Sequence, residues 1–279
     1  MTSEDLKRIY SASSDHALLD QVVTCNDCAL VYLNPRPRAD LLSNGYSRAV
    51  DPLFAEQNDH RIRTFHRTLR GVLKRINLPG RGMKVLDVGC AGGAFLVAAR
   101  TCGMDAVGVE PALWMAAHGR ERYEIDIRDG YLAEGMFQEA SFDMITLWDV
   151  IEHMPEPHAS LSLIRKLLKP DGVLLVNFPD IASLAARLLG ERWPFWLGVH
   201  LIYYTRKTMA AQLARAGFEV RWFEPCWQTL QFAYVARRAV PYFRPLSVVP
   251  PLLERLGLAR LPFTYNMGQT LAVTRPVHL

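Results

Sequence analysis

Apolar positions in this chain fall into short runs and into helical spacings, and the two alternate most regularly between residues 83 and 178. Residues 83–88 read as a short buried strand, the turn 89–93 carries three glycines, and a helix of small residues follows from Ala94 to Cys102. The alternation continues with strands over 105–110, 123–128 and 142–148 and a helix over 112–120. A helix over 158–169 sets Leu161, Ile164 and Leu168 on one face, with Arg165, Lys166 and Lys169 near its C-terminus, where the helix dipole favours cations. Pro170, Asp171 and Gly172 turn the chain into a buried strand over 173–178. Alternating strands and helices need crossover connections, so the pattern predicts a mostly parallel sheet covered on both faces, a doubly wound α/β fold. Farther on, Thr205 is placed to cap a helix with Met209 and Leu213 inward and Gly217 at its end. Strands over 218–223 and 270–274 complete the reading, and five prolines among apolar residues at 239–262 mark an irregular or helical insertion between them.

Composition narrows the class. The 279 residues are 50% hydrophobic and 22% charged, which excludes disordered and fibrous chains. Lysine and arginine (32) barely exceed aspartate and glutamate (28), and no block of one sign appears, so nothing points to nucleic acid. No apolar run of about 18 residues is present, so no transmembrane segment is expected. The acidic start Met1–Asp5 leads into no apolar stretch, which argues against a secretory signal and for a cytoplasmic protein. Five cysteines at 25, 28, 90, 102 and 226 fit reduced thiols better than a disulfide framework.

In an α/β sheet, ligands bind beyond the carboxyl ends of the strands, where glycines admit a close approach and a helix N-terminus offers free N–H groups. Gly89 and Gly92 fit that place, and Glu110, 21 residues after Gly89 at the end of the next strand, is set to accept from a ribose diol. Position 91 is Ala, so the G-x-G-x-x-G spacing of nicotinamide and flavin sites is not met. Asp87 at the strand end would repel a pyrophosphate and suits a cationic ligand.

These motifs resemble the class I S-adenosylmethionine-dependent methyltransferases that act on small molecules. Residues 85–93 match that family's first motif, 107–110 its second strand with the ribose acid, and 142–153 and 168–172 its later motifs. The resemblance implies a Rossmann-like, mostly parallel seven-stranded sheet with S-adenosyl-L-methionine as cofactor. It implies roles as well: Asp87 near the methionine amino group, Gly89, Cys90 and Gly92 along the amino acid and ribose, and Glu110 on the ribose hydroxyls. Asp129, Gly130, Tyr131 and Leu132 would frame the adenine, with Trp148 and Asp149 toward the methionine side.

A sulfonium methyl is already electrophilic, so a base is needed only where the acceptor must lose a proton. His153 is the candidate in the core, or it caps and orients the following loop. In the aromatic segment 193–208, His200, Tyr203 and Tyr204 are acceptor-side candidates, His200 as base, while Trp193, Phe195 and Trp196 fit equally a role in the core. Asp149, Glu152 and His153 resemble the spacing with which quinone O-methyltransferases of the family hold a divalent metal, and the same triplet would serve to satisfy helix-start donors; no metal is expected. Residues 1–58 read as an N-terminal extension that caps the site, and 59–279 as the cofactor domain with an aromatic lid at 181–205 and an insertion at 229–265. Cys25 and Cys28 resemble the zinc-ribbon segment of some relatives, sugar C-methyltransferases among them. With only Asp15 and His16 upstream, they are expected to be a remnant without zinc. The expected partner is a small-molecule acceptor, ring-bearing, lipid-like or a sugar nucleotide; oligomeric state is set by no pattern here. The alternatives are a catalytically silent binding module of the same fold and, less favoured by the glycine spacing, a nicotinamide-dependent oxidoreductase.

Overall fold

The computed structural model describes residues 22–36, Leu42, 45–240 and 242–277. Its centre is a seven-stranded sheet. Strands β3 (Lys84–Val88), β4 (Asp105–Glu110), β5 (Asp126–Asp129), β6 (Phe142–Trp148) and β7 (Leu168–Pro179) pair in parallel. The last strand, β12 (Gln269–Pro276), runs antiparallel between β7 and β9 (Phe218–Pro225), giving the order β5-β4-β3-β6-β7-β12-β9. The order reverses direction at β3, so the crevice above the carboxyl ends of β3, β4 and β6 is the topological switch point where such sheets bind ligands.

The predicted doubly wound architecture is present. Helix α1 (Pro52–Ala55) is short; α2 (Asn58–Ile76) lays Phe65, Leu69, Val72 and Leu73 against α3 (Ala94–Thr101) on one face of the sheet. Helix α5 (Pro157–Leu167) and α7 (Arg206–Arg215) cover the other through Leu161, Ile164, Met209 and Leu213. Thr205 caps α7 in a reciprocal capping box with Thr208, and Gly217 follows its end at φ +80°, both as the sequence predicts.

Two element boundaries differ. Helix α4 (Leu113–Tyr123) runs through Tyr123 and closes at Glu124 in the left-handed region, so β5 starts only at Asp126. Leu168 is not on the face of α5: its backbone is already extended, and it pairs with Phe142 as the first residue of β7.

The N-terminal residues form a hairpin of β1 (Val22–Thr24) and β2 (Val31–Leu33), closed by the turn that holds Cys25 and Cys28. Strand β2 pairs in turn with β8 (Ile202–Tyr203), which ties the extension directly to the aromatic segment. Both thiols are free, and they belong to no metal-competent cluster among the described residues; Asp15 and His16 lie outside those residues. Helix α6 (Leu184–Leu189) follows β7. The insertion comprises β10 (Gln228–Gln231), α8 (Phe232–Ala239), a 3-10 turn at Arg244–Val248, α9 (Val249–Arg255) and β11 (Pro262–Tyr265), with β10 and β11 paired as a ribbon. Among the described residues, no helix is long and apolar enough to cross a membrane.

Candidate active site

Strand β3 delivers the first side chain of the site. Asp87 is buried and accepts from Thr146 Oγ1 at 2.6 Å; burial pushes its carboxyl up to about 8 against that bond and the charge of Arg61. After β3 the chain must turn at once into α3. Gly89 does so at φ +72°, with Val150 so close that a Cβ would strike it, which leaves no room for another residue. Cys90 is buried behind the turn, and Gly92 offers its carbonyl to Asn58 Nδ2 at 3.2 Å.

Glu110, at the end of β4, clasps this turn. Its carboxylate oxygens accept from the backbone N–H of Ala91 at 2.6 Å and of Ala112 at 2.8 Å, while burial raises its carboxyl to about 7. A carboxylate has about four acceptor positions, so both oxygens retain capacity for ligand hydroxyls. Gly130 follows β5 and donates its N–H to Glu110 O; Tyr131 stands exposed next to it, and Asp129 is paired with Arg120 at 2.8 Å.

At the end of β6, Trp148 is buried against Phe65 and Phe95. Asp149 follows at φ +55°, an unfavourable backbone position for a non-glycine residue, and is held by Asn177 Nδ2 at 2.7 Å and Gln228 Nε2 at 3.2 Å. Burial raises it to about 6. Arg61 of α2 lines the same cleft, where the charges of Asp149 and Asp87 oppose the fall that burial imposes on its guanidinium. The sequence reading missed Arg61, Asn177 and Gln228. Two buried carboxylates and the half-buried Asp149, set against one guanidinium, favour a ligand that brings positive charge.

A second cluster lies just past β6. Glu152 is almost wholly buried, and neither of its carboxylate oxygens has a hydrogen-bond partner among the described residues; burial and then the charge of Asp149 push it well above the usual range, favouring its neutral form. His153 Nδ1 lies 2.7 Å from Tyr46 Oη and 2.9 Å from Val199 O. The carbonyl only accepts, so this contact assigns the proton to Nδ1 and leaves Nε2 with its lone pair. Burial depresses His153 to about 4, so it is neutral at pH 7. His200 is buried against it, ring centroids 4.7 Å apart, and burial and the neighbouring imidazole depress it as well. His200 Nδ1 and the hydroxyl of the fully buried Tyr204 also lack partners among the described residues.

The metal-like spacing that the sequence suggested, Asp149 with Glu152 and His153, is not what the fold assembles. Asp149 is taken up by Asn177 and Gln228, whereas Glu152, His153 and His200 have donor atoms within 4.8 Å of one another. The aromatic stretch divides: Leu184 and Leu188 are exposed on α6, but Trp193 and Tyr203 are fully buried, Trp193 donating to Met267 O at 2.7 Å.

A family profile described as a methyltransferase domain matches residues 54–221. A ubiquinone biosynthesis O-methyltransferase of Azorhizobium caulinodans is 28% identical over 154 residues, 51% of this chain and 61% of the relative. One of the same name from Maricaulis maris is 32% identical over 134 residues, 44% of this chain and 52% of the relative. The chain thus spans roughly half to three-fifths of the length of these relatives. Among solved structures, the YcgJ protein of Bacillus subtilis superposes with a TM-score of 0.53 at 15% identity, covering 77% of this chain and 99% of that one, a likeness of fold.

Proposed function

The chain belongs to the class I S-adenosylmethionine-dependent methyltransferase family, and from that premise we propose that it methylates a hydroxyl oxygen of a small, ring-bearing acceptor. The observation that carries this reading is the cluster beside His153. Leaving Glu152, His200 Nδ1 and Tyr204 Oη buried without partners is expensive, on the order of 1–3 kcal/mol for each group. A polar group of an acceptor would satisfy them, and the partly buried Phe195 and Trp196 beside them offer a ring apolar contact.

The buried carboxylates and Arg61 fit the cofactor. Asp87 would hold its ammonium group, Glu110 its ribose hydroxyls, Gly89, Cys90 and Gly92 its amino-acid and ribose edge, Gly130 and Tyr131 its adenine, and Trp148 and Asp149 its methionine side. Arg61 would take its carboxylate. Bound S-adenosylmethionine supplies a methyl group on a sulfonium, which needs no further activation. His153 Nε2 takes the proton of the acceptor hydroxyl, Tyr46 and Val199 keep its Nδ1 oriented, and Glu152, His200 and Tyr204 position the acceptor oxygen. The buried, aromatic-walled segment 193–204 excludes water from the transfer.

The names of the relatives support an oxygen acceptor, and the unpartnered polar cluster supports a hydroxyl. The experiment is incubation of the purified protein with methyl-labelled cofactor and two acceptor pools, alkylated catechols and nucleotide sugars. Label is expected in the catechol pool and lost in His153→Asn. Label confined to the sugar pool overturns the acceptor class. Micromolar S-adenosylhomocysteine binding without label in either pool would favour the silent binding module.

One observation favours a second reading of the same cluster. One carboxylate and two imidazoles within 4.8 Å form a donor set fit for a divalent cation, which would acidify the acceptor hydroxyl in place of His153. Turnover that survives chelation supports the proton-acceptor reading; turnover lost to chelator and restored by added magnesium or zinc supports the cation.

A further inference from the structure

The insertion between β10 and β11 has two faces. Its inner one belongs to the cofactor cleft: Gln228 holds Asp149, the N–H of Gln231 donates to Gln57 Oε1 at 3.0 Å, and Tyr234 is buried near Arg61. Among the described residues, its outer face has no comparable partner. On α9, Pro250 and Leu253 are buried, which uses one side of the helix. Val248, Leu252 and Leu256, four residues apart and so in one stripe on the opposite side, are each more than half exposed, as is Phe243 ahead of them. Leu258 and Leu261 are exposed in the return loop. These six are drawn from sixteen exposed large apolar side chains among all described residues, although 243–261 is a small part of the chain. An ordinary surface helix turns polar residues outward; this one carries leucine on both sides.

The charge of the segment is as one-sided as its hydropathy. Residues 237–261 hold five arginines against the single Glu254, an excess of four positive charges, equal to the net charge of the whole chain. The arginines form no run in sequence, which is why inspection of the sequence finds no basic block. Glu254 is neutralised by Arg237 in an ion pair. Arg244, Arg255 and Arg260 make no ion pair among the described residues, and Arg255 falls on the Val248–Leu252 side of α9. An apolar stripe flanked by unpaired arginines is the pattern of an interfacial helix: the apolar side chains enter the acyl boundary and the cations meet the headgroup phosphates.

We infer that the outer face of the 237–261 insertion docks on an anionic lipid surface and holds the mouth of the cofactor cleft against the membrane. The partner is fixed by charge complementarity. A second copy would present the same arginines to this face, since a two-fold contact pairs a surface with itself. The inference is independent of which acceptor is methylated.

The test is co-sedimentation of the full chain with vesicles of phosphatidylcholine alone and of phosphatidylcholine mixed with phosphatidylglycerol. Binding is expected to the mixed vesicles, with at least about tenfold weaker binding to the neutral ones and a loss at high salt. Leu252→Asp with Leu256→Asp should abolish binding, and Arg244→Glu with Arg255→Glu should weaken it about tenfold or more. Unchanged melting temperature and unchanged S-adenosylhomocysteine affinity in both variants show that the fold and the cleft are intact. No binding to the mixed vesicles, equal binding to neutral ones, or binding indifferent to both variants overturns the inference. So does a lipid-indifferent dimer that Leu252→Asp with Leu256→Asp dissociates, which would make the face a contact between copies.

Discussion

The carboxylates at the ends of β3, β4 and β6 and the cluster after β6 are both mostly buried, Asp149 and His153 only in part, yet they differ in what they are bonded to. Asp87, Glu110 and Asp149 each accept from at least one fixed donor of the chain, at distances of 2.6–3.2 Å. Glu152, His200 Nδ1 and Tyr204 Oη have none among the described residues. A bonded carboxylate is preorganised before any ligand arrives, which suits a half of the site that binds one unvarying molecule. Unbonded polar groups store a desolvation penalty that only the right ligand removes, which suits selection of an acceptor.

The largest expected effect tests the preorganised half. Asp87→Ala removes the charge and the Thr146 contact together, and S-adenosylhomocysteine affinity measured by calorimetry should fall by about 100-fold or more, the loss of a buried charge-assisted pair. Glu110→Gln should cost less, because the amide oxygen still accepts one of the two backbone N–H groups. Affinity that survives both variants would break the division at its root.

His153→Asn tests the other half. It should lower kcat by about 10²–10³-fold, the usual worth of a positioned proton acceptor, while leaving S-adenosylhomocysteine affinity unchanged. A matching loss of cofactor affinity would show that the two halves are one site without division of labour.

The same contrast separates what was legible in the sequence from what was not. Asp87, Gly89, Gly92 and Glu110 sit within one strand-turn-helix-strand unit, where spacing along the chain fixes spacing in space, so reading the motif placed them. Arg61 enters from α2, a helix whose apolar positions Ile62, Phe65, Leu69, Val72 and Ile76 carry a helical period that would have revealed it. Gln228 had no signal: it lies on a four-residue strand whose partner, β11, is more than thirty residues away in sequence. Likewise, the meeting of Glu152 and His153 with His200 depends on Leu201 N–H donating to Glu152 O at 2.8 Å, a long-range bond that no local pattern announces.

A smaller effect is expected on pH. In the free protein, burial holds Asp87 near 8 and Glu110 near 7, so both are largely or partly protonated at pH 6.5. A cationic cofactor favours the ionised forms, so its binding must release protons. Affinity should therefore rise between about pH 6 and 8, by at most tenfold per unit for each proton released, and level off above. Calorimetry in two buffers of different ionisation enthalpy reads the proton count directly. Asp87→Asn should flatten the profile, and an affinity that falls with rising pH would reverse the assignment of these carboxylates.

Tyr46→Phe is the finest probe. Two groups face His153 Nδ1, and the Val199 carbonyl at 2.9 Å is sufficient to keep the proton on Nδ1 once the Tyr46 hydroxyl at 2.7 Å is gone. The neutral hydrogen bond to Nδ1 that is removed is worth about 0.5–1.5 kcal/mol, so kcat should fall about 2- to 10-fold with cofactor affinity unchanged. A loss as large as that of His153→Asn would instead show that the tyrosine hydroxyl, and not the Val199 carbonyl, fixes the orientation and tautomer of the imidazole. The acceptor half would then be built across the N-terminal extension and the strand ends together, with Tyr46, outside every motif, as its positioning residue.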